Sequence, residues 1–554
     1  MTLFNVAIGM ALFEEVSKKS ALHPKPAGLL LNYGTSGFRT VAEQLDHVMF
    51  RMGLLAVLRS KKTKATIGVM VTASHNPEED NGIKLVDPMG EMVTPTWEEY
   101  AMQVANAEQE ALLTVLGDIM KREAIDINQG AAVFIGRDTR PSSESLSQAV
   151  LDGILSLAGH AHDYGVLTTP QLHFMVRCEN TQSRYGNPTT EGYYQKLSQA
   201  FVQLVKHAPN RTDDQKHLLV DGANGVGALK LREMEPFLQK ELQISLFNKG
   251  TGGKLNFQCG ADYVKVQQGP PLGVEMLVGQ RCCSFDGDAD RIVYYYSDSE
   301  GRFHLLDGDK IATLISTFLK KLVTQAGLDL QIGVVQTAYA NGSSTRYLEN
   351  NMKVTVRCVE TGVKHLHHAA QEFDIGVYFE ANGHGTVLFS ESAVEKIQQL
   401  AMDSSTSDEK KSAAQILENT VNVTNQAVGD AISDMLLVEA VLAVQGLSLQ
   451  QWDAMYTDLP NRQRKVKVAD KSVITTTDAE RRALSPAGLQ DAVDALVKQY
   501  RLSRAFVRPS GTEDTIRVYA EADTQENTDS LAHEVCMAVY RLAGGVGEEP
   551  QPLC

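Results

Sequence analysis

Apolar runs of strand length that feed through a short polar turn into a helix-length amphipathic stretch recur along this chain, and the recurrence narrows the folds open to it. The run "AAVFIG" passes through "RDTRPSS" into "ESLSQAVLDGILSLAG", where Pro141 and Ser142 suit a helix start and Gly159 suits its end. The same order returns at "HLLVDGANGVGALKLREMEPFL", at "KIATLISTFLKKLV" followed by "IGVVQTA", and at "DIGVYFEANGHGTVLF". Alternation of this kind predicts α/β domains with mostly parallel sheets. Thr40 and Glu43 form a capping-box pattern ahead of an apolar stripe from Val41 to Leu58, and a buried strand is expected at Ile67 to Thr72. From about Gln451 the pattern changes to strand-like alternation with two helical stretches, an α+β unit.

At 554 residues the chain exceeds what one hydrophobic core organises. Four domains are expected, at 1–205, 206–312, 313–450 and 451–554. The stretches 178–194 and 207–215 read as polar and turn-rich, and 403–415 as an exposed, charged insertion. With 52 basic against 68 acidic residues the net charge is -16, and no long Lys/Arg run occurs. Nucleic acid and acidic membrane surfaces are therefore poor partners. Seven scattered cysteines without a CxxC pair suggest neither a zinc site nor a disulfide framework, which fits a reducing cytoplasm. The apolar start lacks a basic flank and runs into Glu14 and Glu15, so it reads as a short helix or an added extension, not a signal peptide. No apolar stretch approaches the ~20 residues of a membrane span.

Four clusters carry chemistry. In "CSFDGDADRIVYYY", Asp286, Asp288 and Asp290 alternate with Gly287 and Ala289; in an extended loop a period of two turns all three carboxylates the same way. Three hard oxygen donors with little bulk between them suit Mg²⁺, and the alternative is an acidic turn neutralised by Arg291. Ser74, in "TASHNP", follows the expected strand. No G-x-S-x-G elbow surrounds it and His75 is too near in sequence to act as its base, so the hydrolase arrangement is disfavoured. A serine that carries phosphate remains, against the plainer reading of a turn or cap residue. Such a phosphate would complete the coordination of a cation held by the aspartates.

In "FEANGHGT", Glu380 and Asn382 have the donors and acceptors to grip sugar hydroxyls, and Ala381 leaves room for a substituent; a Gly-rich turn between two strands is the alternative. In "RPSGTEDTIRVY", Arg508 and Arg517 flank Ser510, Gly511 and Thr512, a set able to receive a phosphate dianion, with a solvated turn paired to Glu513 or Asp514 as the alternative.

"YGTSGFRT" (33–40), "TASHNP" (72–77), "DGDADR" (286–291), "EANGHGT" (380–386) and "RPSGTED" (508–514) resemble, in order, the signatures of the phosphohexomutases, over nearly the whole chain from about Ser20. The resemblance implies four domains around a central cleft, three related α/β domains with mixed sheets and a C-terminal α+β domain. It implies that Ser74 is a phosphoserine that donates to substrate, with Asp286, Asp288, Asp290 and Ser74 around one Mg²⁺. Glu380, Ala381 and Asn382 match the sugar-binding loop, with Lys364 and His365 of "TGVKH" a further sugar contact. Arg508, Pro509, Ser510, Gly511, Thr512 and Arg517 match the site for the phosphate that does not react. His75, Lys84, Arg39 and His384 sit at motif positions suited to acid/base duty; His367 and His368 read as helix surface.

The reaction implied is interconversion of N-acetylglucosamine 6-phosphate and 1-phosphate through a sugar 1,6-bisphosphate, toward the UDP-activated sugar, by a monomer or weak homo-oligomer. A Mg²⁺-dependent sugar phosphatase, a non-catalytic hexosamine-phosphate sensor and a mutase of glucose phosphates are the alternatives.

Overall fold

The computed structural model describes residues 3–34, 37–209, 211–510 and 515–552, with side chains from residue 10 onward. The chain divides into two compact units, one running to Leu305 and taking in Asn419–Gly446, the other comprising Leu306–Glu418 and the chain from Leu447 on.

The first unit holds two five-stranded sheets. One runs Phe38–Val41, Asp80–Val86, Ile67–Val71, Ala132–Arg137, His160–Val166 in spatial order; the other runs Phe303–Leu306, Ile292–Ser297, Cys282–Phe285, His217–Asp221, Gln243–Phe247. The second unit holds a four-stranded sheet ordered Thr355–Val359, Ile332–Thr337, Ile375–Phe379, Gly385–Phe389, and a three-stranded antiparallel sheet of Asn461–Lys467, Thr515–Glu521 and Arg504–Pro509.

The three larger sheets share one design. In each, a fully buried central strand pairs in parallel with one neighbour and antiparallel with the strand that follows it in sequence. The central strands are Ile67–Val71, Cys282–Phe285 and Ile375–Phe379. Their side chains are buried on both faces, which is why they read as unbroken apolar runs and not as alternation. The sheets are thus mixed, and each antiparallel step is a hairpin whose loop is one of the polar motifs: 72–79, 286–291 or 380–384.

Some local expectations give way. Thr40 does not cap a helix, because strand pairing continues through Thr40 opposite Asn81 to Val41. One 3-10 turn, Ala42–Gln44, intervenes before the helix Asp46–Thr63, and the Thr40 hydroxyl donates to Gln44 Oε1 at 3.0 Å. The segment 403–415 is not wholly an exposed insertion: the helix Asp408–Val423 starts inside it and buries Ala413 and Ala414. The N-terminal stretch is the 18-residue helix Leu3–Ser20, whose Val16 joins the first unit's core with Leu12 and Phe13 packed beside it. Among the described residues no helix is long and apolar enough to cross a membrane.

Helices Asp46–Thr63 and Ser143–Ser156 cross backbone to backbone on one face of the first sheet. A Cβ on Gly153 would lie 2.0 Å from the Phe50 carbonyl oxygen, and one on Gly53 would lie 2.3 Å from that of Val150. Backbone atoms inside two packed helices do not yield as side-chain tips do, so the helices must separate to admit a methyl group. Gly153→Ala is expected to destabilise the first unit by about 3 kcal/mol. Thermal unfolding of the variant checks this, and an unchanged midpoint excludes the close crossing as a determinant of stability.

Candidate active site

Ser74 lies three residues beyond the end of the strand Ile67–Val71, in a left-handed conformation, φ 48°, which a residue with a Cβ rarely adopts. The turn is held from several sides. The Ser74 amide donates to Thr72 Oγ1 (3.0 Å), whose hydroxyl donates to Asp138 (2.7 Å). The Ser74 carbonyl accepts from Arg140 (3.2 Å) and from Asn256 (2.8 Å), and the same two side chains donate to the Asn76 carbonyl. Strain of this kind persists only where the surroundings over-determine it, and it aims the hydroxyl.

The Ser74 Oγ points into a buried charged cluster. It donates to Asp288 Oδ2 (3.0 Å) and receives Arg39 Nη2 (2.9 Å) and Lys84 Nζ (3.3 Å). Lys84 also lies 3.4 Å from both Asp288 and Asp290. Gly287 permits this approach, since a Cβ there would sit 2.5 Å from the Ser74 carbonyl oxygen.

Asp286, Asp288 and Asp290 are all buried, and each offers a carboxylate oxygen within 4.8 Å of the others. Burial, then the charges of Asp290 and Asp288, hold the Asp286 carboxyl well above the usual carboxylate range. Asp288 Oδ1 is buried with no hydrogen-bond partner among the described residues, and Asp286 Oδ2 has only a long ion pair to Arg291 Nε at 3.9 Å. Mutually repelling, underused hard oxygens beside a serine hydroxyl fit a divalent cation.

Arg39, Lys84 and Arg291 stand among the three carboxylates as their counter-charges. Burial, then Arg291, lowers the Arg39 pKa, while the three aspartates pull it back up. His75 is pushed down to about 2, first by Arg291, then by burial and Arg39, so its ring is neutral at neutral pH. His75 therefore has no proton to give as an imidazolium.

In the second unit Glu380, Ala381 and Asn382 form the hairpin turn between Ile375–Phe379 and Gly385–Phe389, partly exposed and closed by the Glu380 amide donating to the His384 carbonyl (2.9 Å). The Asn382 side chain accepts from the His384 amide (3.0 Å), and His384 itself is buried. Lys364 and His365 lie in the first turn of the helix Val363–Ala370, and His367 shares a hydrogen bond with the Tyr378 hydroxyl (3.0 Å).

Arg508 stands directly opposite Arg517, and Arg517 opposite Lys465, making a row of three cations across the C-terminal sheet. Like charges facing each other are unfavourable unless an anion compensates them. Pro509 ends the strand and Ser510 is buried, its amide donating to the Thr515 carbonyl (2.9 Å). Gly511, Thr512, Glu513 and Asp514 lie outside the described residues.

Sequence reading missed Thr169, whose hydroxyl donates to Asp288 Oδ2 at 2.6 Å, and Asn256 and Arg140, which hold the serine turn. Thr169 shows locally only as part of the start of a helix capped by Thr168 and Gln171, and no local signal marks its partner 119 residues on. Lys465 was also missed, being visible only once strand register is known.

A strained serine facing a carboxylate triad, on sheets of repeated topology with a cationic C-terminal sheet, defines a phosphohexomutase. Family models match accordingly: phosphoglucomutase/phosphomannomutase α/β/α domain I at residues 55–112 and 103–186, phosphoacetylglucosamine mutase domain II at 187–293 and domain III at 307–447, and the phosphoglucomutase/phosphomannomutase C-terminal domain at 464–538. The human phosphoacetylglucosamine mutase is 67% identical over 537 residues, 97% of this chain and 99% of that protein. A crystal structure of N-acetylglucosamine-phosphate mutase in the substrate complex is 47% identical with a TM-score of 0.91, covering 95% of this chain and 99% of that one. The Aspergillus fumigatus N-acetylphosphoglucosamine mutase in complex with GlcNAc-6P and magnesium is 47% identical with a TM-score of 0.92, covering 96% and 99%. The chain belongs to the phosphoacetylglucosamine mutase family.

Proposed function

We propose that the chain interconverts N-acetylglucosamine 6-phosphate and N-acetylglucosamine 1-phosphate, with Ser74 as the phosphoryl carrier, in the supply of UDP-N-acetylglucosamine. The observation that carries this is the Ser74 hydroxyl held in a strained turn within hydrogen-bonding distance of Asp288, Arg39 and Lys84. Ser74 would carry the phosphoryl group, and Glu380, Asn382, Arg508 and Arg517 would supply recognition. Six described cysteines are free, which is compatible with the cytoplasm.

In the first half-reaction the bond from phosphorus to Ser74 Oγ breaks as one forms to the free sugar hydroxyl, whose proton passes in net to the Ser74 oxygen, yielding the 1,6-bisphosphate and free serine. In the second, the other phosphate returns to Ser74, so the net change is isomerisation. Arg39 and Lys84 stabilise charge at Oγ as it leaves, and Lys84 Nζ, at 3.3 Å, is the group placed to exchange a proton there. Asp286, Asp288, Asp290 and the Ser74 oxygen would hold Mg²⁺, which when bound supplies Lewis-acid neutralisation of phosphoryl charge.

Mass spectrometry of the purified protein is expected to find phosphate on Ser74 that is discharged and restored on adding N-acetylglucosamine 6-phosphate. Inorganic phosphate released in step with substrate loss would instead identify a phosphatase. Arg517→Ala is expected to cost about 2 kcal/mol of substrate affinity, read as a raised KM with kcat little altered. Unchanged KM and kcat would remove Arg517 from the phosphate site.

A further inference from the structure

The C-terminal region carries a two-stranded hairpin, Thr475–Thr477 with Arg482–Ser485. Three consecutive residues at its tip, Asp478, Ala479 and Glu480, are left-handed, with φ of 54°, 53° and 65°. None is glycine, so each is held against its preference. Arg481 pins the turn, its amide and guanidinium both donating to Asp478.

The turn delivers the Glu480 carboxylate into a mostly buried position. Its Oε2 accepts from the Thr361 amide (3.0 Å) and the Thr361 hydroxyl (2.5 Å), a residue 119 positions earlier. Its Oε1 lies 3.0 Å from Arg508 Nε, an ion pair rather than an aligned hydrogen bond. On the other side Arg508 faces the Tyr339 ring, 6.0 Å from its Cζ. One carboxylate thus ties the segment leading into Lys364 and His365 to an arginine of the cationic row, joining the regions matched by two different family models.

We propose that Glu480 is a positioning residue for substrate recognition, fixing Arg508 by its Nε side so that the terminal Nη pair is presented to a phosphate, and making the Thr361 loop and Arg508 move as one. This rests on the reading of Arg508 as a phosphate ligand. A guanidinium has five donors, and a bidentate grip on phosphate uses two along one edge. The Glu480 carboxylate stands 3.0 Å from the Nε as an ion partner, and no hydrogen bond from the terminal nitrogens is found among the described residues.

Charge alone would act in the opposite direction, which makes the sign of the effect decisive. A carboxylate beside a phosphate-binding arginine weakens its attraction for an anion, so if charge alone mattered, removing Glu480 would lower KM. If positioning dominates, removal raises it.

The test is steady-state kinetics on the full-length enzyme with N-acetylglucosamine 6-phosphate, using Glu480→Ala, Glu480→Gln, Thr361→Val, the Glu480→Ala/Thr361→Val double variant and Arg508→Ala. Glu480→Ala is expected to raise KM about tenfold with kcat changed much less. Glu480→Gln, which keeps an acceptor for Thr361, is expected to raise KM by a smaller factor. The double variant is expected to match Glu480→Ala, since Thr361 acts through Glu480. An unchanged or lowered KM in Glu480→Ala, while Arg508→Ala raises KM, overturns the proposal and leaves the phosphate reading standing. Fully additive effects in the double variant, or a joint fall of kcat and melting temperature without a KM shift, also overturn it. An unchanged KM in Arg508→Ala overturns the phosphate reading itself.

Discussion

Ser74→Ala is expected to lower turnover by at least about 10³-fold while leaving sugar-phosphate binding measurable. The loss is large because Ser74 Oγ receives both Arg39 and Lys84, cations that stabilise charge on that oxygen. Thr169 also donates to Asp288, at 2.6 Å, but its oxygen receives neither cation among the described residues. Ser74→Gly separates chemistry from strain. It removes the same hydroxyl but also the Cβ that makes φ 48° unfavourable, so it is expected to be as inactive as the alanine variant yet more stable by about 1 kcal/mol. Turnover measured beside thermal unfolding checks both arms. Mutase activity near that of the wild type in either variant would eliminate Ser74 as the phosphoryl carrier, and a glycine variant less stable than the alanine one would mean the turn stores no strain.

What could be read from the chain was chemistry compressed into short segments. Asp286, Asp288 and Asp290 lie within five residues between two buried strands, so their convergence was legible, but a turn gathers them and not an extended loop: Ala289 is left-handed at φ 58° and its amide donates to the Asp286 carbonyl at 3.1 Å. Ser74 was conspicuous because polar residues follow so abruptly on an apolar strand. Contacts formed across the fold were not readable. Thr169 reaches Asp288, Asn256 reaches the Ser74 carbonyl, and Glu480 reaches Thr361 only after sheets and loops have closed. Strand register governs in the same way: Lys465 joins Arg517 and Arg508 because pairing places them opposite one another. Local signals also lost to tertiary structure at Thr40, where a credible capping box yielded to pairing with Asn81.

Asp288→Asn is expected to reduce turnover about 10³-fold, equivalent to about 4 kcal/mol of barrier, and to abolish stabilisation by Mg²⁺. The amide keeps the size of the carboxylate and an acceptor for Thr169 and Ser74, so the fold is expected to survive. Lost charge is the variable. In the cation-free protein, burial and the charges of Asp290 and Asp288 raise the Asp286 pKa, so the folded state binds a proton that the unfolded chain has released. That contribution to stability is complete below the ordinary carboxylate value and disappears as pH rises through the raised one. Two consequences follow in opposite directions. Wild-type protein should gain more in melting temperature from Mg²⁺ at neutral than at acid pH, the gain reaching about 2.7 kcal/mol at a hundredfold excess over Kd. Asp288→Asn, with one repelling charge removed, should be more stable than cation-free wild type at neutral pH and indifferent to added Mg²⁺. Wild-type turnover in this variant, or an undiminished rise in melting temperature with Mg²⁺, would show that the aspartate triad does not hold the cation on which phosphoryl transfer depends.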